Sequence, residues 1–149
     1  MKTADINEHF VTVKTADLRG LALDWAVAKA LNEPVKLVNF IGRMCLVSSN
    51  DFFDSLHLLP PTFSPSTDRA MAMTIVERFG IDLQCNHSDY ADDAAHTNGV
   101  GDWVAKHHRA DHSSDRSYGR TATEAALLCC VSHEFGREIQ LPRELWALS

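Results

Sequence analysis

The sequence predicts an α+β domain in which an antiparallel sheet of short strands is packed by two or three helices. Three observations predict it. Helical periodicity occupies three separated stretches, near residues 15–31, 64–80 and 121–136, with turn and cap residues at their ends. Short runs rich in β-branched residues lie between them. The helices and hairpins follow in mixed order, the pattern of α+β folds and not of a regularly wound parallel sheet. With 149 residues and 45% hydrophobic content the chain is expected to form one domain over residues 1–149, burying roughly 68–70% of the surface its unfolded form exposes. Met1 to His9 is polar and reads as a loosely held extension.

In chain order, Phe10 to Lys14 alternates apolar and polar residues and predicts a short strand. Thr15 or Asp17 then caps a helix to about Leu31, with Leu18, Leu21, Ala22, Trp25 and Ala28 as its apolar stripe and with Asn32 and Pro34 as its stop. Val35 to Phe40 and Met44 to Ser48, separated by Ile41-Gly42-Arg43, predict an antiparallel hairpin. Ser49 to Phe63 is a long connection carrying Phe52, Phe53, Leu56, Leu58, Leu59 and Pro60-Pro61. So many apolar groups either fold back over the core or form a surface for another chain.

The middle helix is entered through Ser64-Pro65-Ser66-Thr67-Asp68. Pro65 biases Ser64 toward extended backbone, and Ser66, Thr67 or Asp68 can accept from the free amides of the first turn. Ala72, Ile75, Val76 and Phe79 form its buried stripe, flanked by Met71 and Met73, and Gly80 closes it. Ile81 to Cys85 reads as a strand, His87 to Asp102 as an irregular acidic stretch, Trp103 to His108 as a second strand and Arg109 to Tyr118 as a polar loop. Thr121-Ala-Thr-Glu124 fits a capping box opening a helix to Phe135, with Gly136 after it. Its expected inner face is Ala125, Leu128, Cys129, Ser132 and Phe135. Glu138 to Leu141 reads as an edge strand, and Pro142 to Leu148 as a last helical turn with Leu145 and Trp146 tucked in.

The net charge of -6 and pI near 5.7 argue against a nucleic-acid duplex as partner, because phosphate-backbone binders concentrate Lys and Arg. No run approaches the roughly 18 consecutive apolar residues of a membrane span, and the polar start does not fit a signal peptide, so a cytoplasmic location is expected. Cys45, Cys85, Cys129 and Cys130 show no Cys-x-x-Cys spacing and read as small core residues, not bridges or ligands.

The entrance at Ser64 to Arg69 holds the ingredients of an anion site: free amides, the hydroxyls of Ser64, Ser66 and Thr67, and the Arg69 guanidinium. Arg120 and Thr121 offer the same kit at the next helix. If the two starts converge, a small phosphate-containing molecule can be held without any reaction. Asp68 and Glu124 can instead satisfy those amides as ordinary caps. Phe63, Tyr90, Trp103 and Tyr118 are the rings that could sandwich a base, or serve as core. His87, His96, His107, His108 and His112 lie among several aspartates, a mixture that suits a metal or simply a solvated loop. No nucleophile elbow, Walker loop, His-Glu-x-x-His or dinucleotide fingerprint occurs, so a non-catalytic protein without a cofactor is expected.

Val13 to Ala30, Ser64 to Asp68 with Ile75 to Ile81, and Thr121 to Cys130 followed by Phe135 to Pro142 resemble the NinX-like family of small bacteriophage proteins. The family usually continues the Ser-Pro-Ser-Thr-Asp turn with Trp and a Gly-Gly-Pro-like run. Here Arg69 and Ala72-Met73-Thr74 stand instead, which makes the middle helix more regular. The resemblance implies a phage or prophage accessory protein in the host cytoplasm and brings no established reaction with it. Joined to the residue-level reading, it gives an expected ligand-binding set of Ser64, Ser66, Thr67, Asp68, Arg69, Arg120, Thr121, Trp103 and Tyr118 for a nucleotide-like anion, with sequestration of a host defence signal as its use. The alternatives are an inhibitor or adaptor acting on a host protein through Phe52 to Leu59, and a metal-dependent hydrolase centred on His107, His108, Asp111 and His112. A homo-oligomer is also expected, since a two-fold axis could bury both the hairpin and the apolar insertion.

Overall fold

The computed structural model describes residues 9–49, 61–85, 103–108 and 116–149. The expectations for Phe52 to Leu59, for His87 to Asp102 with Tyr90, for Asp111 and His112, and for the extension before His9 fall outside them.

Helix α3 (Ala122–Phe135) is the spine, because every residue from Ala125 to Val131 is buried. A helix apolar all round its middle must be wrapped on all sides. Four residues of that buried run are small, Ala125, Ala126, Cys129 and Cys130. Helices α1 (Gly20–Leu31) and α2 (Arg69–Phe79) pack on it, as do the strands β4 (Ile81–Cys85), β5 (Trp103–His107) and β6 (Ser117–Gly119). A Cβ on Gly119 would collide with the backbone nitrogen of Ala125, so β6 lies directly on the first turn of α3.

The strands are all antiparallel, as expected, but they make three small units. β4-β5-β6 is the three-stranded one. β1 (Phe10–Lys14) pairs with β7 (Glu138–Pro142), and β2 (Val35–Phe40) pairs with β3 (Arg43–Ser48). Strand β6 occupies the end of what the sequence presents as a polar loop; with Ser117 and Gly119 facing the core there is no apolar alternation to announce it. Helix α4 (Arg143–Leu148) ends the chain, with Leu145 buried and Trp146 36% exposed and so not tucked in. Phe135 is likewise 40% exposed, on the outer side of the final turn of α3.

Helix α1 starts later than its sequence suggests. Thr15 to Asp17 form a 3-10 turn, and Arg19, without a side-chain cap bond, precedes the helix. Thr15 is drawn away from capping because its hydroxyl donates to Gly136 O at 2.9 Å and its amide donates to Arg137 O at 2.9 Å, tying the start of α1 to the end of α3. Asn32, in the left-handed region at φ 56, closes α1 as expected. Of the cysteines, Cys129 and Cys130 are buried, Cys45 is half-buried and Cys85 is exposed.

The hairpin turn is Ile41-Gly42, with φ 51 and φ 75. Such turns favour Asn-Gly, because both central residues take positive φ. A β-branched residue there carries a backbone penalty of roughly 1–2 kcal/mol. Urea unfolding followed by tryptophan fluorescence should therefore show Ile41→Asn more stable than the natural chain by about 1 kcal/mol. The same measurement should show Gly119→Ala less stable by roughly 1–3 kcal/mol, since backbone atoms, and no flexible side chain, block the added methyl.

Candidate functional site

The entrance to α2 is assembled by a residue that the sequence reading did not single out. Asp24 lies in the middle of α1 and is 3% exposed. Ser66 donates its backbone N–H to Asp24 Oδ1 at 2.8 Å and its hydroxyl to Asp24 Oδ2 at 2.8 Å. Pro65 beside it is fully buried. The amides of Thr67 and Asp68 donate to Ser64 O at 3.0 and 2.9 Å, closing the turn. Asp68 is the N-cap, accepting from the Met71 amide at 3.2 Å.

These bonds divide the expected ligand set. The amide and hydroxyl of Ser66 are committed to the chain's own carboxylate. Thr67 is exposed, with its hydroxyl 3.3 Å from Ser64 O. Arg69 is exposed, and its guanidinium has no ion pair among the described residues. The amides of Arg69 and Ala70 have no acceptor among the described residues, as the first two donors of a helix commonly do not. The exposed members of the entrance are therefore Thr67, Asp68 and Arg69, beside two amides without an acceptor among the described residues, on a turn fixed from beneath by Asp24.

Burial pushes the Asp24 carboxyl up from its ordinary 3.8 to about 6, against the downward pull of the Ser66 amide and hydroxyl. The signal in the sequence is that Asp24 is the one charged residue in the run Leu21 to Ala28. It falls on no polar face, so the helix must bury it and supply a partner.

At the second helix start, Thr121 Oγ1 accepts from the Glu124 amide at 3.1 Å and Thr121 O accepts from the Ala125 amide at 3.1 Å. The return half of the capping box does not form. Glu124 Oε1 instead lies 3.0 Å from Arg19 Nε, an ion pair by distance though not a directed hydrogen bond, linking α3 to the start of α1. Arg120 is exposed. No hydrogen bond or ion pair among the described residues joins Ser64 to Arg69 with Arg120 and Thr121.

Trp103 and Tyr118 stand on opposite faces of their sheet. Trp103 is opposite Gly119 and Val104 is opposite Tyr118, so alternation sends Trp103 toward the core and leaves Tyr118 39% exposed. Phe63 packs half-buried against the core. His107 and His108 also part company. His107 stacks on His133 of α3, with centroids 4.1 Å apart and planes within 5°, whereas His108 Nδ1 lies 3.4 Å from Asp82 Oδ2. Among the described residues no group of three or more His, Cys, Asp or Glu side chains is arranged to hold a metal ion, and no helix is long and apolar enough to cross a membrane.

The arrangement defines a small α+β protein with a buried helical spine, three antiparallel ribbons and a clamped polar entrance to its middle helix. The family model described as bacteriophage P22, NinX, matches residues 14–134, and the chain belongs to that family. A search of curated proteins gives no match.

A raised carboxyl pKa means that folding takes up a proton between pH 3.8 and about 6. The contribution of Asp24 to stability is thus most favourable below the unfolded value and declines as pH rises through the folded one, by roughly 3 kcal/mol at about 1.4 kcal/mol per unit. Urea unfolding across this range should show that Asp24→Asn, which keeps an acceptor for the Ser66 amide, removes the decline and exceeds the natural chain in stability at pH 8. Asp24→Ala, which leaves the Ser66 groups without acceptors, should lose roughly 1–3 kcal/mol relative to Asp24→Asn.

Proposed function

We propose that this phage accessory protein is non-catalytic and holds a small anionic, nucleotide-like molecule at the entrance of α2, with Arg69 as its principal contact. One observation carries the reading. Arg69, exposed and without an ion pair among the described residues, opens α2, and its amide and that of Ala70 have no acceptor among the described residues, on a turn whose position is set from below by Asp24 and Ser66. A phosphate oxygen accepts well from such donors, and a guanidinium offers paired donors of matching geometry. Thr67 can add its hydroxyl. Within the set expected from the sequence, Ser66 and Asp68 act as positioning residues, since their groups are engaged by Asp24 and Met71.

Sequestration of a host defence nucleotide is the use that such a site would have in a phage protein. Arg120, Thr121, Trp103 and Tyr118 would contribute only if the ligand reaches beyond the entrance, and Trp103 and Tyr118 could not grip one base from the same face of the sheet.

Calorimetry with cyclic nucleotides, ADP-ribose derivatives and pyrophosphate tests the proposal. At least one probe should bind below high micromolar concentration, Arg69→Glu should abolish that binding, and Asp24→Asn should retain it. Absence of binding by every probe, or full binding by Arg69→Glu, would remove the proposed site.

A further inference from the structure

The β1–β7 ribbon leaves the outer edge of β1 open. Arg143 donates its amide to His9 O at 2.8 Å and Thr15 donates its amide to Arg137 O at 2.9 Å, and both bonds keep the register of the ladder between them. Bonded and non-bonded pairs alternate along an antiparallel ladder, so Val11 and Val13 bond to β7 while the backbone groups of Phe10, Thr12 and Lys14 point away from it. No other strand lies beside β1. The amides of Phe10, Thr12 and Lys14 and the carbonyls of Phe10 and Thr12 have no backbone partner among the described residues. All three residues are exposed, Phe10 to 53%.

Open edges are ordinarily blunted, as two others in this fold are. On the outer side of β3, Ser48 donates to Pro61 O at 3.0 Å and Phe63 donates to Leu46 O at 2.8 Å. By the same alternation β7 turns the backbone of Glu138, Gln140 and Pro142 outward, and Pro142 has no N–H to offer. β1, which reads Phe-Val-Thr-Val-Lys, holds no proline, no glycine and no inward charge.

The residue pattern of β1 indicates what completes it. An antiparallel neighbour of the same sequence, centred on Thr12, sets Thr12 opposite Thr12, Val11 opposite Val13 and Phe10 opposite Lys14. We propose that β1 pairs edge to edge with β1 of a second copy of this chain, about a two-fold axis through Thr12, joining the two ribbons into one continuous antiparallel sheet. At the centre each Thr12 donates its amide to the carbonyl of the other, and at each end the Lys14 amide donates to Phe10 O of the second copy. Val11, half-buried at the margin of the core, gains Val13 of the second copy beside it on the core face. On the outer face the Lys14 stem and ammonium meet the exposed Phe10 ring, and no like charges stand opposite each other. β7 cannot do the same, because a two-fold axis through Gln140 sets Pro142 opposite Glu138 and leaves an amide missing at both ends. The one edge serves both copies, so the assembly closes as a dimer.

Sedimentation velocity of the full chain, from low to high micromolar concentration, provides the test. The natural chain should pass reversibly from monomer to dimer as concentration rises. Thr12→Pro removes an outward N–H that β7 does not use and should weaken the dimer roughly tenfold or more. Thr12→Lys and Thr12→Glu each set like charges against one another across the axis, so each alone should stay monomeric where the natural chain dimerises, and an equimolar mixture of the two should dimerise again. Both substitute an exposed position, and urea unfolding should find them as stable as the natural chain. A natural chain that is monomeric at every concentration would overturn the proposal, as would dimerisation of Thr12→Lys and Thr12→Glu, each alone, with the isotherm of the natural chain. A mixture no more associated than either variant alone would overturn the pairing through Thr12.

Discussion

The contact on which the site depends is the pair of hydrogen bonds from Ser66 to the buried carboxylate of Asp24. Helices α1 and α2 both lean on α3, and these two bonds join the middle of α1 directly to the turn that starts α2. Without an acceptor at Asp24, the Ser66 amide and hydroxyl would be left facing a largely apolar surface. With it, the turn has one available position, and the direction in which α2 presents its first amides follows. The arrangement carries a desolvation cost, visible in the upward displacement of the carboxyl, which an apolar residue at this site would avoid. A polar clamp in place of an apolar plug defines the geometry of the turn above it.

This explains why one helix entrance differs from the other. At α3 the cap is local: Thr121 accepts from Glu124, and Glu124 reaches Arg19. Gly119 is pressed on Ala125, and no buried charge lies beneath the turn among the described residues. At α2 the Asp68 cap is also local, but the turn before it is held from another helix. Arg69, which is exposed, is thereby set on a fixed base. A fixed base reduces the ordering that binding must impose, so such an entrance is better suited to a ligand than an equally donor-rich but unanchored one.

Much of the fold was legible in the sequence because periodicity and punctuation agreed. Gly80 and Asn32 both close helices in the left-handed region, Thr121 caps α3, and the paired runs around Ile41-Gly42 form the hairpin. The misreadings share a cause, which is tertiary competition for a local group. Thr15 could cap a helix, yet Gly136 O takes its hydroxyl. Phe135 and Trp146 are apolar in sequence but fall past the edge of what the core can cover. Strand β6 is read as loop because its inward positions, Ser117 and Gly119, are small where α3 approaches closely. At the candidate site, the turn and Arg69 were visible, and their anchor was not. A single aspartate in a helical run carries no indication of its partner 42 positions later.

The central claim is that Asp24 is a buried carboxyl whose pKa is raised by that burial and whose bonds to Ser66 fix the entrance to α2. A carboxyl-carbon NMR titration of aspartate-labelled protein, with the Ser66 amide followed alongside, tests it most directly. The account predicts one aspartate resonance with its midpoint near pH 6 and a Ser66 amide signal that moves with the same midpoint. An Asp24 resonance titrating at its ordinary value, with the Ser66 amide indifferent to it, would contradict the account.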